Sequence, residues 1–330
     1  MPRTAIFLSP GADLAAAVDL ARLADAAGYE SVWVTHGLGR DGLQVLAAYA
    51  HAAPRVGLGT GVLPIYPRHP VLLAQEALTL QEVSGGRLRL GIGVSHRSMM
   101  EGALGLDMGR PLDVVREYVA VLRQALTGRV EHAGPRYRVA WQSGVPRLPA
   151  PPPIYLAGLG PAMLELAGEI ADGAVLWLCA PAYIREHALP AIRRGRQRAG
   201  KALDGFEIVA SVPAAVTADR VAAAAAFKGE LARYLALPFY RAMLEKTGFG
   251  AEISAWERAP APASVGDRLV QALGAIGDAP ALQSLVVDYR EAGVTLPAIR
   301  PIGFPDARHY LPTLEAGSGR GSSVPPSTTS

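Results

Sequence analysis

"RVGLGTGVLPIYPRHPVLLAQEALTLQEV", residues Arg55 to Val83, contains the unit from which the fold is built. A short apolar run at Arg55–Val62 predicts a strand, and the apolar spacing of Val71–Val83 predicts a helix. The loop between them carries three prolines, Tyr66 and two basic residues. The stretch therefore predicts a strand followed by a loop and a helix.

The same unit recurs along the chain. Seven further apolar runs predict strands: Thr4–Leu8, Ser31–Thr35, Arg87–Ile92, Ile154–Ala157, Ala174–Leu178, Glu207–Val212 and Leu296–Ile302. The other predicted helices are Asp13–Gly28, Gly42–His51, Pro111–Leu126, Ala162–Ala171, Pro181–Ala199, Ala218–Lys246, Gly266–Ile276, Ala279–Ala292 and Pro305–Glu315. Such alternation implies parallel strands with helical crossovers, and eight units favour a closed barrel over an open sheet.

The predicted fold class is therefore α/β, a (β/α)8 TIM barrel with insertions after strand 4 and after strand 7. It forms one domain over residues 1–316. Residues 317–330 consist mostly of Gly, Ser, Pro and Thr, and this composition predicts a disordered C-terminal tail.

Composition excludes several classes of function. The net charge of +3 is too small for a general nucleic-acid footprint. The N-terminal apolar run is too short for a signal peptide or a membrane-spanning helix. The single cysteine, Cys179, rules out an internal disulfide and favours a reducing, cytoplasmic location. We expect a small-molecule substrate, with no nucleic-acid partner and no membrane.

The residues that could take part in catalysis or binding follow the ends of predicted strands. A barrel of this kind has its active site at the C-terminal ends of its strands. His36 and His96 both follow predicted strands and have side chains that exchange protons near neutral pH. No histidine has a second His, Cys or Glu at metal-ligand spacing on the same helix, so no metal site is predicted.

Two glycine patterns have alternative explanations. Gly158 and Gly160 precede Pro161, which suits a helix N-terminus that binds a phosphate, or an ordinary tight turn. Gly57, Gly59 and Gly61 leave one strand face without side chains. A planar ring pressed against the backbone, or a closely packed helix, would explain that bare face.

Four stretches resemble a known family. They are "LARLADAAGYESVWVT" (Leu20–Thr35), "LGTGVLPIYPRHPVLLAQEALTLQEVSGGRLRLGIGVSH" (Leu58–His96), "RPLDVVREYVAVLRQALTG" (Arg110–Gly128) and "IYLAGLGPAMLELAGEIADGAVLW" (Ile154–Trp177). They closely resemble the bacterial-luciferase-like oxidoreductase superfamily, and best its deazaflavin-dependent branch, which uses coenzyme F420.

The resemblance implies a (β/α)8 barrel, a homodimer and a set of site residues. It implies a non-proline cis peptide at Gly61-Val62 that supports the cofactor ring. It implies His36 as the catalytic proton donor, although relatives often carry Asp-His where this chain has His36-Gly37. The implied cofactor-binding residues are Thr60, Gly61, Val62, Gly93, Val94, Ser95, His96, Ala157, Gly158, Leu159, Gly160, Pro161 and Met163, and the implied pocket residues are Tyr66 and Trp177.

The resemblance also implies the reaction. An F420-dependent oxidoreductase would transfer a hydride between C5 of the deazaflavin and a small organic substrate, such as an enone, an imine or an alcohol. Two alternatives stay open. One is a two-component monooxygenase that uses reduced FMN from a partner reductase, and the other is a cofactor-binding barrel without catalytic activity.

Overall fold

The computed structural model describes residues 3–36, 39–145, 147, 149–303 and 310–318. In chain order its strands are β1 (Ala5–Leu8), β2 (Ser31–Val34), β3 (Gly57–Thr60), β4 (Leu63–Pro64), β5 (Leu88–Gly93), β6 (Arg129–Ala133), β7 (Arg138–Gln142), β8 (Ile154–Ala157), β9 (Gly173–Leu176), β10 (Glu207–Val216), β11 (Ala275–Gly277) and β12 (Leu296–Pro301). Strands β1, β2, β3, β5, β8, β9, β10 and β12 pair in parallel in that order, and β12 pairs with β1. The ring is closed, which confirms the predicted (β/α)8 TIM barrel.

Helices surround this barrel. They are α1 (Leu14–Ala27), α2 (Gly42–Ala52), α3 (Pro70–Val83), α4 (Pro111–Leu126), α5 (Pro161–Ile170), α6 (Pro181–Tyr183), α7 (Leu189–Arg198), α8 (Arg220–Leu235), α9 (Pro238–Glu245), α10 (Gly250–Arg258), α11 (Asp267–Leu273), α12 (Ala279–Glu291) and α13 (Leu311–Gly317). A π-helical turn covers Ser98–Ala103, and a second, Ile184–Ala188, joins α6 to α7.

Both predicted insertions are present. The connection after β5, the fourth barrel strand, holds a π-helical turn, α4 and the antiparallel β6–β7 hairpin. The connection after β10, the seventh barrel strand, holds α8 to α11 and the short strand β11. The hairpin, α10 and β11 were not predicted from the sequence.

The predicted helical region Ala218–Lys246 is present and consists of two helices. It is divided into α8 and α9, because Leu237 takes an extended conformation before Pro238. A proline disfavours the helical conformation of the preceding residue and suits the first position of a new helix.

The ends of the first helix show how local residues fix the element boundaries. Asp13 accepts hydrogen bonds from the backbone N–H groups of Ala15 and Ala16, and thereby caps the N-terminus of α1. Gly28 ends the helix with a φ of +82°, a conformation that favours glycine.

The alternating glycines of the third strand face the inside of the barrel. A Cβ atom added at any of the three would come closer than 3.0 Å to a side chain of the protein itself. Both explanations drawn from the sequence, a planar ligand and a packed helix, are therefore wrong for this face. The spaces are filled by Arg89 next to Gly57, Trp33 next to Gly59 and Phe7 next to Gly61.

A network of charged side chains lies at the N-terminal end of the barrel. The Arg3 guanidinium contacts Glu30 at 2.8 Å and Glu207 at 2.6 Å, and Arg89 contacts the same Glu30 oxygen at 2.6 Å. Tyr155 donates a hydrogen bond to Glu207 at 2.8 Å. This end is occupied by the protein's own side chains, so the opposite, C-terminal end is where a ligand can enter.

The C-terminal part of the chain is only partly described. The last helix begins at Leu311, later than predicted, and the predicted start at Pro305 lies outside the described residues. Gly317, where the tail was predicted to begin, is the last residue of α13, and residues 319–330 lie outside the described part. Among the helices described, none is long and apolar enough to cross a membrane.

Candidate functional site

Three strand ends meet at the C-terminal edge of the barrel. The peptide bond Gly61-Val62 is cis, as the resemblance implied. A Cβ added at Gly93 would lie 3.0 Å from the Val62 side chain and 3.2 Å from the Ala157 side chain. Val62 and Ala157 are half-buried and, together with Trp177, pack on the core inside the barrel. These residues form a rim that is partly open.

Thr60 does not belong to this rim. Its side chain is completely buried. The hydroxyl donates to the carbonyl of Gly91 and accepts from the N–H of Gly91, both at 2.7 Å. The prediction that Thr60 binds the cofactor is therefore wrong for its side chain, which joins two barrel strands instead.

The loop after β5 brings His96 to the same edge. Ser95 has a φ of +58°, which turns the chain sharply before His96. The backbone carbonyl of His96 accepts from the N–H groups of Met99 and Met100, at the start of the π-helical turn. Burial lowers the pKa of His96, so its ring is neutral at neutral pH.

The glycine-containing turn after β8 leads directly into α5. Gly160 is the residue before the helix, has an extended conformation and is exposed, and no side chain caps this helix end. Pro161 occupies the first helical turn, and the N–H groups of Ala162 and Met163 have no partner inside the helix. The Tyr183 hydroxyl steadies the turn by donating to the Leu159 carbonyl at 2.6 Å.

This helix end has the properties of an anion site. Unpaired N–H groups and the positive end of the helix dipole both favour a negative group. A Cβ added at Gly160 would meet no atom within 4 Å, so there is space next to the turn. Gly158, by contrast, lies against the side chains of Met163 and Leu164. These contacts stabilise the turn and leave no space for a ligand on that side of Gly158.

His36 is held in one tautomer. Its Nδ1 accepts a hydrogen bond from the backbone N–H of Gly42 at 3.1 Å, so the proton of the neutral ring is on Nε2. A Cβ at Gly42 would lie 3.4 Å from this Nδ1 and 3.5 Å from Leu63, which follows the cis peptide closely. His36 therefore lies beside the β4 end of the rim.

The charges near His36 act in opposite directions. The pKa of His36 is lowered, first by burial and then by the positive charge of Arg68, while Asp41 raises it. Arg68 itself is paired with Asp41, which also caps α2 through the N–H groups of Leu43 and Gln44. The result is a neutral imidazole that presents an N–H donor.

The two predicted pocket residues lie in different surroundings. The Tyr66 hydroxyl donates to the Met108 carbonyl at 2.9 Å, and the Arg136 guanidinium lies 5.3 Å from the centre of its ring. Tyr66 thus packs against the insertion that follows the fourth barrel strand. Trp177 is inside the barrel mouth, with its ring centre 5.3 Å from that of Phe7.

Sequence reasoning missed four residues at the mouth: Glu230, Tyr234, Tyr240 and Arg300. The Arg300 guanidinium forms two contacts with Glu230, at 2.9 and 2.8 Å, and its carbon lies 5.0 Å from the Trp177 ring centre. Glu230 and Arg300 are 70 residues apart, and no local pattern marks either one. Among the described residues, no group of three or more His, Cys, Asp or Glu side chains could hold a metal ion.

The chain is similar to several known proteins. The model of the family described as "luciferase-like monooxygenase" matches residues 2–296. A Mycobacterium tuberculosis protein named "Putative coenzyme F420-dependent oxidoreductase" is 30% identical over 313 residues, which cover 84% of this chain and 88% of that protein. The 5,10-methylenetetrahydromethanopterin reductase of Methanolobus tindarius is 32% identical over 214 residues, 62% of each chain.

A solved structure has the same fold. The coenzyme F420-dependent tetrahydromethanopterin reductase of Methanopyrus kandleri superposes with a TM-score of 0.81 at 24% identity, over 96% of this chain and 97% of that one.

Proposed function

Because the chain belongs to the luciferase-like monooxygenase family, we propose that it is an F420-dependent oxidoreductase. It transfers a hydride between the cofactor and a small organic substrate such as an enone, an imine or an alcohol. The observation that carries the choice of cofactor is the 30% identity, over 84% of this chain, to a relative named for coenzyme F420. The homodimer and the cytoplasmic location stay predictions.

The residues present fit a cofactor with a flat ring and a phosphate. Val62, Gly93 and Ala157 form a rim at the barrel mouth. Their side chains are small or, at Gly93, absent. The first turn of α5, next to Gly160, offers N–H donors and space for a phosphate. When bound, coenzyme F420 supplies or accepts a hydride at C5 of its deazaflavin ring.

On the substrate side of the proposed reaction, His36 serves as a neutral hydrogen-bond donor that polarises a carbonyl or imine group. With Nδ1 occupied by the Gly42 N–H, its Nε2–H is available to donate to a substrate oxygen or nitrogen. The Arg68 charge and burial keep the ring neutral, so it acts as a neutral donor and not as an imidazolium.

A set of substitutions at Gly160 tests the phosphate site. Gly160→Asp adds a helix cap and a negative charge, whereas Gly160→Asn adds the cap without the charge. We expect both variants to be at least as stable as the wild type. Both caps compete with a phosphate for the N–H groups of this helix end, and the added charge should make Gly160→Asp the weaker F420 binder of the two, by at least about tenfold, measured by fluorescence titration of the deazaflavin.

Two outcomes would contradict the proposal. If the Asp and Asn variants bound F420 with equal affinity, the phosphate would not bind at this helix end. If the apoprotein bound FMN tightly but did not bind F420, the proposed cofactor would be wrong. That result would favour the alternative that the family description suggests, a monooxygenase that uses reduced FMN.

A further inference from the structure

Four aromatic rings form a continuous wall along one side of the barrel mouth. The ring centres of Trp177 and Tyr234 are 6.4 Å apart, those of Tyr234 and Tyr240 are 4.9 Å apart, and those of Tyr240 and His96 are 6.2 Å apart. We call Trp177, Tyr234, Tyr240 and His96 the aromatic wall. Its members come from three separate parts of the chain, which the barrel brings together.

The wall begins at the proposed cofactor rim. Trp177 shares its packing on the inner core with Val62 and Ala157. Tyr234 and Tyr240 come from α8 and α9, in the insertion after the seventh barrel strand, and His96 follows β5. A substrate that lies next to a ring held at this rim therefore contacts the aromatic wall.

The wall carries no net charge. Burial lowers the pKa of His96, which makes the ring neutral, and burial raises the pKa of Tyr234, which keeps the hydroxyl protonated. Arg300 lies against the Trp177 face, but its charge is balanced by Glu230, and both side chains are buried.

Behind the wall is a small apolar cavity. Its accessible volume is about 10 Å³, roughly the space of one water. Besides Tyr234 and Tyr240, leucines of α8, α9 and α11 surround it, among them Leu231, Leu244 and Leu273. A cavity of this size cannot hold any part of a substrate, so a substrate meets only the rings of the aromatic wall.

We propose that the substrate is an uncharged molecule whose apolar ring or chain packs on the aromatic wall. This inference rests on the proposed function and names the substrate class for that site. It excludes substrates whose recognition depends on a carboxylate or a phosphate at this wall.

Matched substrates test the charge preference. Cyclohex-2-en-1-one, its 4-butyl derivative and its 4-carboxylate derivative are compared as hydride acceptors with reduced F420. We expect kcat/KM for the two neutral enones to exceed that of the carboxylate by at least about tenfold. An equal or higher kcat/KM for the carboxylate would overturn the inference.

A binding measurement separates this inference from the proposed function. The affinity of the apoprotein for the neutral and the carboxylate enones is measured directly by saturation-transfer NMR. If F420 does not bind, the proposed function fails, while a preference for neutral enones still supports the aromatic wall. If F420 binds and the apoprotein prefers the carboxylate, the inference fails alone.

Discussion

The indole ring of Trp33 occupies the space next to Gly59 inside the barrel. A Cβ atom at position 59 would come closer than 3.0 Å to three atoms of that ring. Trp33 is completely buried, and its indole N–H donates to the Ser31 hydroxyl at 2.9 Å, so the ring cannot easily move away. Glycine at position 59 is thus a packing requirement of the barrel core.

Gly59→Ala should destabilise the protein by about 1–3 kcal/mol, because overpacking forces the ring or the strand to shift. Urea unfolding measures the difference. The control is Gly229→Ala in α8, where a Cβ meets no atom within 4 Å. This control should gain about 0.5–1 kcal/mol, since alanine favours a helix more than glycine does. A Gly59→Ala variant as stable as the wild type would contradict the packing argument.

Arg300→Met should cost about 3–5 kcal/mol of unfolding free energy, because it leaves the buried Glu230 carboxylate without its partner. Adding Glu230→Leu should restore most of the loss, since the double variant buries no uncompensated charge. Thermal and urea unfolding of the three variants checks this. A loss in the double variant as large as in Arg300→Met would show that the charge imbalance is not the cause.

Glu30→Gln should lower stability at pH 7 by on the order of 1 kcal/mol. In the folded protein the pKa of Glu30 is lowered, mainly by its hydrogen bond with Arg3. Stabilisation from a carboxyl group with a lowered pKa is present above its ordinary value of 4.5 and is lost as the pH falls. Acid titration should therefore show the wild type and the variant converging below pH 4.5. A constant difference down to low pH would contradict this.

His36 should titrate below its ordinary pKa of 6.5, and Arg68→Gln should raise that pKa by removing a positive charge. Imidazole NMR signals measure both. Because folding lowers the pKa, the His36 contribution to stability is complete above about pH 6.5 and decreases as the pH falls. Asp41→Asn, which keeps a cap on α2 but removes a negative charge, should shift the pKa in the opposite direction. An unchanged His36 pKa in Arg68→Gln would contradict this explanation of the lowered pKa.

Cys179 should not react with thiol reagents in the folded protein. Its side chain is completely buried, and burial raises the pKa of the thiol to about 12. A maleimide added in native buffer should leave it unmodified, and one equivalent should react after unfolding in guanidinium chloride. Labelling of the native protein within minutes would show that the region around Leu178 opens readily.

The number and order of the strand–helix units could be predicted from the sequence, because apolar periodicity is local. The helix predicted at about Pro111–Leu126 is present, and the two insertions were predicted in their places. The predicted turn at Gly160 precedes a helix, as Pro161 indicates. The sequence analysis did not predict that Pro238 divides a helical region, or that a short hairpin interrupts a loop.

The site could be predicted only in part. The cis peptide at Gly61-Val62 followed from the resemblance and is present. Thr60 was included because it lies next to that bond, yet its side chain joins β3 to β5. Tyr234 and Tyr240 were missed, because the face of an inserted helix that meets the barrel is not visible in its own alanine-rich sequence.

The sequence alone determined a barrel of eight strand–helix units, the family and the chain segments that reach the C-terminal rim. Only the tertiary structure decided which side chains share that rim and the core beneath it. Closure of the barrel sets the register of every strand, and the register brings Trp33 against Gly59 and Arg300 against Glu230. These are contacts between residues far apart in the chain, and local periodicity carries no information about them.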